Sequence, residues 1–133
     1  MGGCARRGTV SHLVLPRCLL RSMDFNEYQK LAGRTAMYAK SDKEFILMYL
    51  CMGIAGESGE IIEKVKKTIR NDAGIITEEK KEAIQKEIGD VLWYLSQLAV
   101  VLEIPFDDVA AGNIKKLAER AERGVIKSEG DVR

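Results

Sequence analysis

The sequence predicts an all-α protein built as a single domain. Its 133 residues include only two prolines and three phenylalanines, and its 46% hydrophobic and 31% charged residues are enough for one soluble core. From about residue 24 onward, apolar residues recur at the three- and four-residue spacing of amphipathic helices. Capping residues precede the first three of these segments. We therefore expect four helices arranged like a four-helix bundle.

The first 22 residues differ in composition from the rest. They contain arginines but no acid, whereas all 20 acidic residues lie from Met23 onward. An organellar presequence and a disordered extension before a start at Met23 both fit this composition. The scarcity of serine and the lack of an amphipathic pattern favour the extension. We expect residues 1–22 to be this extension and residues 23–133 to form the domain.

Helix one is predicted from Asp24 to about Lys40. Asp24 can accept a hydrogen bond from the first turn, and Glu27 stands in the reciprocal capping position. One apolar face is expected to be buried, and it comprises Tyr28, Leu31, Ala32, Thr35 and Tyr38.

Helix two is predicted from about Lys43 to Arg70. Its expected buried face comprises Ile46, Leu47, Leu50, Ile54, Ile61, Val65 and Ile69. Three glycines, Gly53, Gly56 and Gly59, interrupt its middle, and each costs about 1 kcal/mol relative to alanine in a helix interior. Close packing against another helix and space for a ligand both account for them.

Helix three is predicted from Thr77 to about Leu102, and helix four from Phe106 to about Arg123. Thr77 follows a turn at Asn71–Gly74 and caps a first turn that is rich in acids. Pro105 separates the two helices, and Gly124 ends the second. The expected buried faces are Ile84, Ile88, Val91, Leu95, Leu98, Ala99 and Leu102 in helix three, and Val109, Ile114, Leu117 and Ala121 in helix four.

Two acid pairs stand beside apolar residues in helices two and three. Glu57 and Glu60 are three residues apart, as are Glu87 and Asp90, so each pair shares one helix face. An acid pair on a helix is most often a solvated surface feature. Two pairs that both border an apolar stripe would, if the helices pack together, bring four carboxylates into one partly dehydrated place. A hard cation relieves their repulsion, and oxygen ligands favour Mg²⁺ or Mn²⁺ over zinc.

With these pairs the chain resembles the MazG-like members of the all-α nucleoside triphosphate pyrophosphohydrolases. The ExxE…ExxD pattern of that family is matched by Glu57, Glu60, Glu87 and Asp90, within Gly-Glu-x-Gly-Glu and Gly-Asp-Val-Leu-x-Tyr-Leu sequences. The resemblance covers the chain from about Met23 to the C-terminus. It implies that the four acids are catalytic metal ligands. It also implies that a nucleoside triphosphate is cut between its α- and β-phosphates, which yields a monophosphate and pyrophosphate.

Four further residues are candidates for substrate binding. Tyr94, Asn113 and Lys116 match positions that family members use near the nucleoside, the sugar and the phosphates. Lys64 lies one turn beyond Glu60 on the acid-bearing face, where it can pair with a carboxylate or contact a phosphate. The alternatives are a core tyrosine, a surface amide and solvated lysines.

Other kinds of site are not indicated. Cys4, Cys18 and Cys51 show no C-x-x-C spacing, which argues against a disulfide framework or a zinc site and favours a reducing cytoplasm. His12 is the only histidine, and neither a G-x-S-x-G nor a P-loop pattern occurs. The net charge of +1 gives no reason to expect nucleic-acid binding. No uninterrupted apolar run reaches the roughly 18 residues of a membrane span, so no membrane association is expected.

Together with the cysteine content and the acid pairs, the family resemblance implies a cytoplasmic, Mg²⁺-dependent enzyme that hydrolyses ribo- or deoxyribonucleoside triphosphates in a house-cleaning role. A non-catalytic helical dimerisation module with acidic helices is the alternative. Four helices with one acidic groove have a large apolar perimeter for their size, and the family resemblance implies a homodimer or homotetramer. Base and sugar preference depend on helix one and on a neighbouring subunit, so the sequence leaves them open.

Overall fold

The computed structural model describes residues 23–38 and 42–124, which form four α-helices and one 3-10 turn. Helix α1 spans Phe25–Ala32, α2 spans Lys43–Asp72, α3 spans Glu78–Val101 and α4 spans Phe106–Glu122, and the 3-10 turn Gly33–Thr35 follows α1. These ranges contain no strand, so the all-α prediction is confirmed. The extension predicted for residues 1–22 lies outside the described residues.

Helices α2 and α3 form an antiparallel hairpin, the most extensive helix pair in the described chain. The hairpin turns where Ala73 adopts a left-handed conformation with φ of 50°, and the Gly74 amide donates to the Thr68 carbonyl at 3.1 Å. Helix α3 then starts at the predicted cap, because the Thr77 hydroxyl oxygen accepts from the Lys80 amide at 3.4 Å. The first and last residues of α2 and α3 all lie within two residues of the predicted boundaries.

Helix α1 is shorter than predicted, and the expectation that it continues to Lys40 is wrong. After Ala32 the chain passes through the 3-10 turn, and Ala36 is extended with φ of −71° and ψ of 100°. A side chain from α3 stabilises this turn: the Trp93 Nε1–H group donates to the Ala32 carbonyl at 3.2 Å and to Thr35 Oγ1 at 2.8 Å. These bonds engage the carbonyl that a continuing helix would need for the amide of residue 36.

The N-termini of α1 and α4 are fastened to each other by side chains. The Phe25 amide donates to Asp107 Oδ1 at 3.0 Å, and the Asp107 amide donates to Asn26 Oδ1 at 3.0 Å. The rings of Phe25 and Phe106 meet edge to face with centroids 5.5 Å apart, and Phe106 is buried. The Asp24 cap is confirmed, since its carboxylate accepts from the Glu27 amide at 2.7 Å.

Helix α4 does not close over the hairpin as a fourth bundle helix would. It leaves α3 at an angle of 104° and packs chiefly on α1. The predicted burial of its apolar face is therefore wrong for the single chain: Ile114 is 67% exposed, and Val109 and Leu117 are also exposed. Several other predicted core residues are also exposed in the single chain, namely Val65, Ile69, Ile88, Leu95 and Leu102.

The bend leaves an apolar groove of about 560 Å³ between α1, the end of α3 and α4. We call it the apolar groove. It is lined by Phe25, Leu95, Leu98, Ala99, Leu102, Ile104, Phe106, Val109, Ala110, Asn113 and Ile114. A second apolar face lies on the outer side of α2, where Met48 and Met52 are 55% and 67% exposed.

Helix α2 is also long and apolar enough to cross a membrane if length and composition alone are considered. It contains an 18-residue window with a mean hydropathy of 1.5. One such helix is weak evidence, and the window, residues 45–62, includes Glu57 and Glu60. The absence of a membrane partner stays a prediction.

Candidate metal centre

The hairpin aligns the candidate residues in two facing rows. On α2, Tyr49, Gly53 and Glu57 follow one another at four-residue spacing, so they occupy one face. On α3, Glu87, Asp90 and Tyr94 do the same at spacings of three and four. Because the helices run antiparallel, aromatic residues meet at one level of the hairpin and carboxylates at the next.

Three carboxylates converge between the helices. One oxygen from each of Glu57, Glu87 and Asp90 lies within 4.8 Å of the others. Glu57 and Glu87 are half-buried, and Asp90 is exposed. Helices α2 and α3 thus bring together three of the four predicted acids.

The electrostatics of Glu57 show how closely these charges are placed. Burial raises the pKa of its carboxyl above the ordinary glutamate value, and the charges of Asp90, Glu87 and Glu60 raise it further. A hydrogen bond with Glu87 acts in the same direction. The Glu57 carboxyl therefore holds a proton more readily than an isolated glutamate does.

Glu60, the fourth predicted acid, stands apart from this group. Its side chain is exposed, and its carboxylate is not among the three that converge. It lies one turn after Glu57 on the same helix and is close enough for its charge to act on that carboxyl. Glu60 is therefore at the rim of the cluster.

Lys64 supplies a cation beside the cluster. Its ammonium nitrogen lies 3.1 Å from Glu87 Oε1, and the two side chains are 32% and 17% exposed. A partly buried pair of this kind is less screened by solvent than a surface salt bridge. Of the two alternatives that the sequence leaves open for Lys64, the structure shows the carboxylate contact.

An aromatic cluster borders the other side of the carboxylates. The Tyr94 ring lies over Gly53, where a Cβ atom would come within 2.1 Å of Tyr94 Cε1. The Tyr49 and Tyr94 ring centroids are 6.3 Å apart, and those of Trp93 and Tyr94 are 5.0 Å apart. Burial, a hydrogen bond with Tyr49 and the charges of Tyr49, Glu57 and Asp90 raise the pKa of Tyr94. Its hydroxyl therefore stays protonated and can donate.

Two tyrosines near the carboxylates are absent from the sequence-based candidates. The pKa of Tyr28, on α1, is raised by burial and by the charge of Asp90, which places Tyr28 within electrostatic reach of the cluster. Its position depends on how α1 packs on α3, which no local pattern reveals. The sequence does contain a signal for Tyr49. It precedes Glu57 by eight residues, or two steps of four, and so lies on the same helix face.

The two candidates on α4 lie elsewhere in the single chain. Asn113 lines the apolar groove beside Leu95 and Leu98, and Lys116 is exposed. Neither belongs to the group of converging carboxylates. Their predicted contacts with the sugar and phosphates stay predictions.

Comparison with known proteins assigns the family. Residues 48–125, which include all four acids, match the family described as the MazG nucleotide pyrophosphohydrolase domain. This protein belongs to the MazG family. It is also 44% identical over 114 residues to the "Gene 37 protein" of Mycobacterium phage L5, an alignment that covers 84% of this chain and all of that relative. No solved structure matches the chain significantly.

The carboxylate cluster fits the metal dependence of the MazG family. Its donors are carboxylate oxygens alone, they come from two rigid helices, and at least one of them has a raised pKa that a bound cation would lower. This is the donor chemistry of a hard divalent ion, whereas zinc prefers nitrogen and sulfur. Glu57, Glu87 and Asp90 are therefore the residues that would hold the metal.

Proposed function

We propose that this MazG protein is a Mg²⁺-dependent nucleoside triphosphate pyrophosphohydrolase, with Mn²⁺ as a possible substitute. It would convert ribo- or deoxyribonucleoside triphosphates to monophosphates and pyrophosphate and so remove unwanted nucleotides from the pool. The observation that carries this proposal is the convergence of Glu57, Glu87 and Asp90 within 4.8 Å, on the helices that match the family.

Each group around the cluster has a role in this reaction. When bound, the divalent cation supplies charge neutralisation at the phosphate oxygens. Glu57, Glu87 and Asp90 would hold it between the helices. Glu60, at the rim of the cluster, is available either as a fourth ligand or as the carboxylate that orients the attacking water.

The aromatic cluster beside the carboxylates supports binding of the nucleoside. Tyr94 and Tyr49 present two rings next to the carboxylates, and aromatic rings stack on any base. Asn113 and Lys116 are proposed to contact the sugar and phosphates, as the family resemblance implies.

A nucleotide screen tests the proposal. Pyrophosphate release is measured with the eight common ribo- and deoxyribonucleoside triphosphates, each with Mg²⁺, with Mn²⁺ and with EDTA. We expect release from at least one nucleotide with either metal and none with EDTA. A protein that binds no metal and releases no pyrophosphate would instead be the helical interaction module.

We also propose that the protein is a homodimer or homotetramer. The apolar groove and the outer face of α2 expose large apolar side chains, among them Met52 and Ile114, that a second copy would bury. Size-exclusion chromatography with light scattering tests this. A single monomeric species at micromolar concentration would contradict it.

A further inference from the structure

Trp93, the single tryptophan of the chain, is tied to the end of α1 by hydrogen bonds. Its indole N–H group donates to the Ala32 carbonyl at 3.2 Å and to Thr35 Oγ1 at 2.8 Å. The Thr35 hydroxyl donates to the same Ala32 carbonyl at 2.8 Å, which leaves the lone pairs of its oxygen for the indole. These three bonds form a closed set, so the indole is held in one orientation.

The same indole ring contacts Tyr94, which lies beside the carboxylates. The two rings meet edge to face, with centroids 5.0 Å apart and planes at 87°. Successive side chains leave a helix about 100° apart, so this contact requires the indole to be turned towards Tyr94. The Tyr94 ring also packs on α2, where it lies over Gly53. Tyr94 is therefore supported from α2 by Gly53 and from α1 through Trp93.

Polar contacts that do not involve Trp93 hold the end of α1 against α3. A Cβ atom at Gly33 would lie 3.7 Å from Oε1 of Gln97, a side chain that is 1% exposed. One turn earlier, Gln29 Nε2 donates to the Ser96 carbonyl at 3.4 Å. The acceptors of the indole N–H group are thus fixed relative to α3 by several contacts, and they orient Trp93 rather than follow it.

We propose that Trp93 is a positioning residue, which transmits the docking of α1 to Tyr94 and so fixes the Tyr94 ring for the nucleoside. This inference rests on the proposed function, in which Tyr94 contacts the nucleoside. Aromatic stacking depends on ring orientation, and a ring that is ordered before binding loses less entropy when a base stacks on it. The support strengthens binding of the substrate and of the transition state alike. Its loss therefore raises KM and leaves kcat nearly unchanged.

Four variants test this role. Trp93→Phe keeps an aromatic ring and removes the indole N–H group, and Thr35→Val removes one of its two acceptors. Thr35→Ser is the rescue, because it restores the hydroxyl. Thr68→Val is the matched control: it removes a buried hydroxyl that donates to the Lys64 carbonyl of its own helix at 3.0 Å. KM and kcat are measured on the nucleotide that wild type hydrolyses best, and calorimetry measures Mg²⁺ binding.

We expect KM to rise at least about fivefold in Trp93→Phe and at least about threefold in Thr35→Val, with kcat and Mg²⁺ binding changed less than about twofold. In Thr35→Ser and Thr68→Val, KM should stay within about 1.5-fold of wild type. Partial unfolding lowers the amount of active enzyme and not the affinity of the folded molecules. A fall in apparent kcat at unchanged KM would therefore show a purely structural role and overturn the proposal.

The fluorescence of Trp93 gives an independent readout, since no other tryptophan contributes to it. The emission maximum should shift in Thr35→Val and return to the wild-type position in Thr35→Ser. If Trp93→Phe does not fold, the two Thr35 variants decide alone: an unchanged KM in Thr35→Val overturns the proposal. If wild type releases pyrophosphate but KM is unaltered in the variants, the Trp93 assignment alone fails. If wild type turns over no nucleotide, the proposed function fails, and this inference fails with it.

Discussion

The Lys64 ammonium group lies 3.1 Å from the same Glu87 carboxylate that converges with Glu57 and Asp90. Glu87 thus belongs both to an ion pair with Lys64 and to the candidate metal site. Lys64 partly compensates the cluster's negative charge where no cation is bound, and it competes with a cation for Glu87.

This sharing predicts opposite effects of Lys64→Met on metal binding and on catalysis. Removing the ammonium group frees Glu87, so Mg²⁺ should bind more tightly, while turnover falls because a cation near the phosphates is lost. Calorimetric titration with Mg²⁺ and a pyrophosphate-release assay give the two readouts. Lys66→Met is the control, since its partner Glu63 is outside the cluster and neither readout should change. Weaker Mg²⁺ binding by Lys64→Met would contradict this account.

Neutralising a clustered acid should move activity and metal-free stability in opposite directions. In Asp90→Asn, loss of a metal ligand should lower turnover by at least about 10²-fold. Relief of carboxylate repulsion should at the same time leave the stability in EDTA unchanged or raise it by up to about 1 kcal/mol. Glu60→Gln tests the fourth acid in the same way. Turnover and thermal midpoints in EDTA decide the matter: near-normal turnover of Asp90→Asn would remove it from the metal site, and a large drop of its midpoint would make it structural.

Glu57 predicts how stability depends on pH without metal. Its folded-state pKa is raised, so the folded protein binds this proton more tightly than the unfolded chain does. The stabilisation is complete below the ordinary glutamate pKa and is lost as pH rises through the raised value. Unfolding in EDTA across this range should show the decline, and Glu57→Gln should flatten it.

A second glutamate and added metal serve as comparisons for this pH effect. Lys66 and Lys67 lower the pKa of Glu63, so its contribution has the opposite sign and is lost as pH falls. Glu63→Gln should therefore not flatten the decline. With Mg²⁺ the slope should reverse, because metal binding needs deprotonated ligands and strengthens as pH rises. A decline that persists unchanged in Glu57→Gln would assign it to another group.

Two glycines of α2 should respond oppositely to alanine. At Gly53 a Cβ atom would meet the Tyr94 ring at 2.1 Å, so Gly53→Ala must displace the ring and should reduce both stability and turnover. At Gly56 nothing lies within 4 Å, so Gly56→Ala should stabilise the isolated subunit by up to about 1 kcal/mol through helix propensity. Denaturant unfolding and turnover of both variants test this. Equal effects of the two substitutions on stability would show that the Tyr94 ring can move aside without destabilising the fold.

The hairpin could be predicted from the sequence because its determinants are local. Caps, breakers and helical spacing fix α2 and α3 to within two residues, and i, i+3 spacing puts each acid pair on one face. The remaining features depend on contacts between distant residues. Trp93, on α3, donates to the carbonyl at the end of α1, and Tyr28 comes within electrostatic reach of the cluster only because α1 packs on α3. For α4, local spacing predicts the helix correctly but not its burial. The 104° bend between α3 and α4 leaves the apolar face of α4 exposed in the single chain.

The turn between Asp72 and Glu78 has a consequence for the order of folding. All three converging carboxylates lie on the two helices joined by these few residues, as do Tyr49 and Tyr94. Contacts beside the turn close first, and the hairpin can then extend from them to the carboxylates, which are 30 to 33 positions apart; the docking of α1 on α4 joins residues about eighty positions apart. We therefore expect the carboxylates to meet before the termini dock, so that a newly made chain is able to capture its cation while α1 and α4 are still unattached. Pulse-labelling hydrogen exchange during refolding should show α2 and α3 protected first.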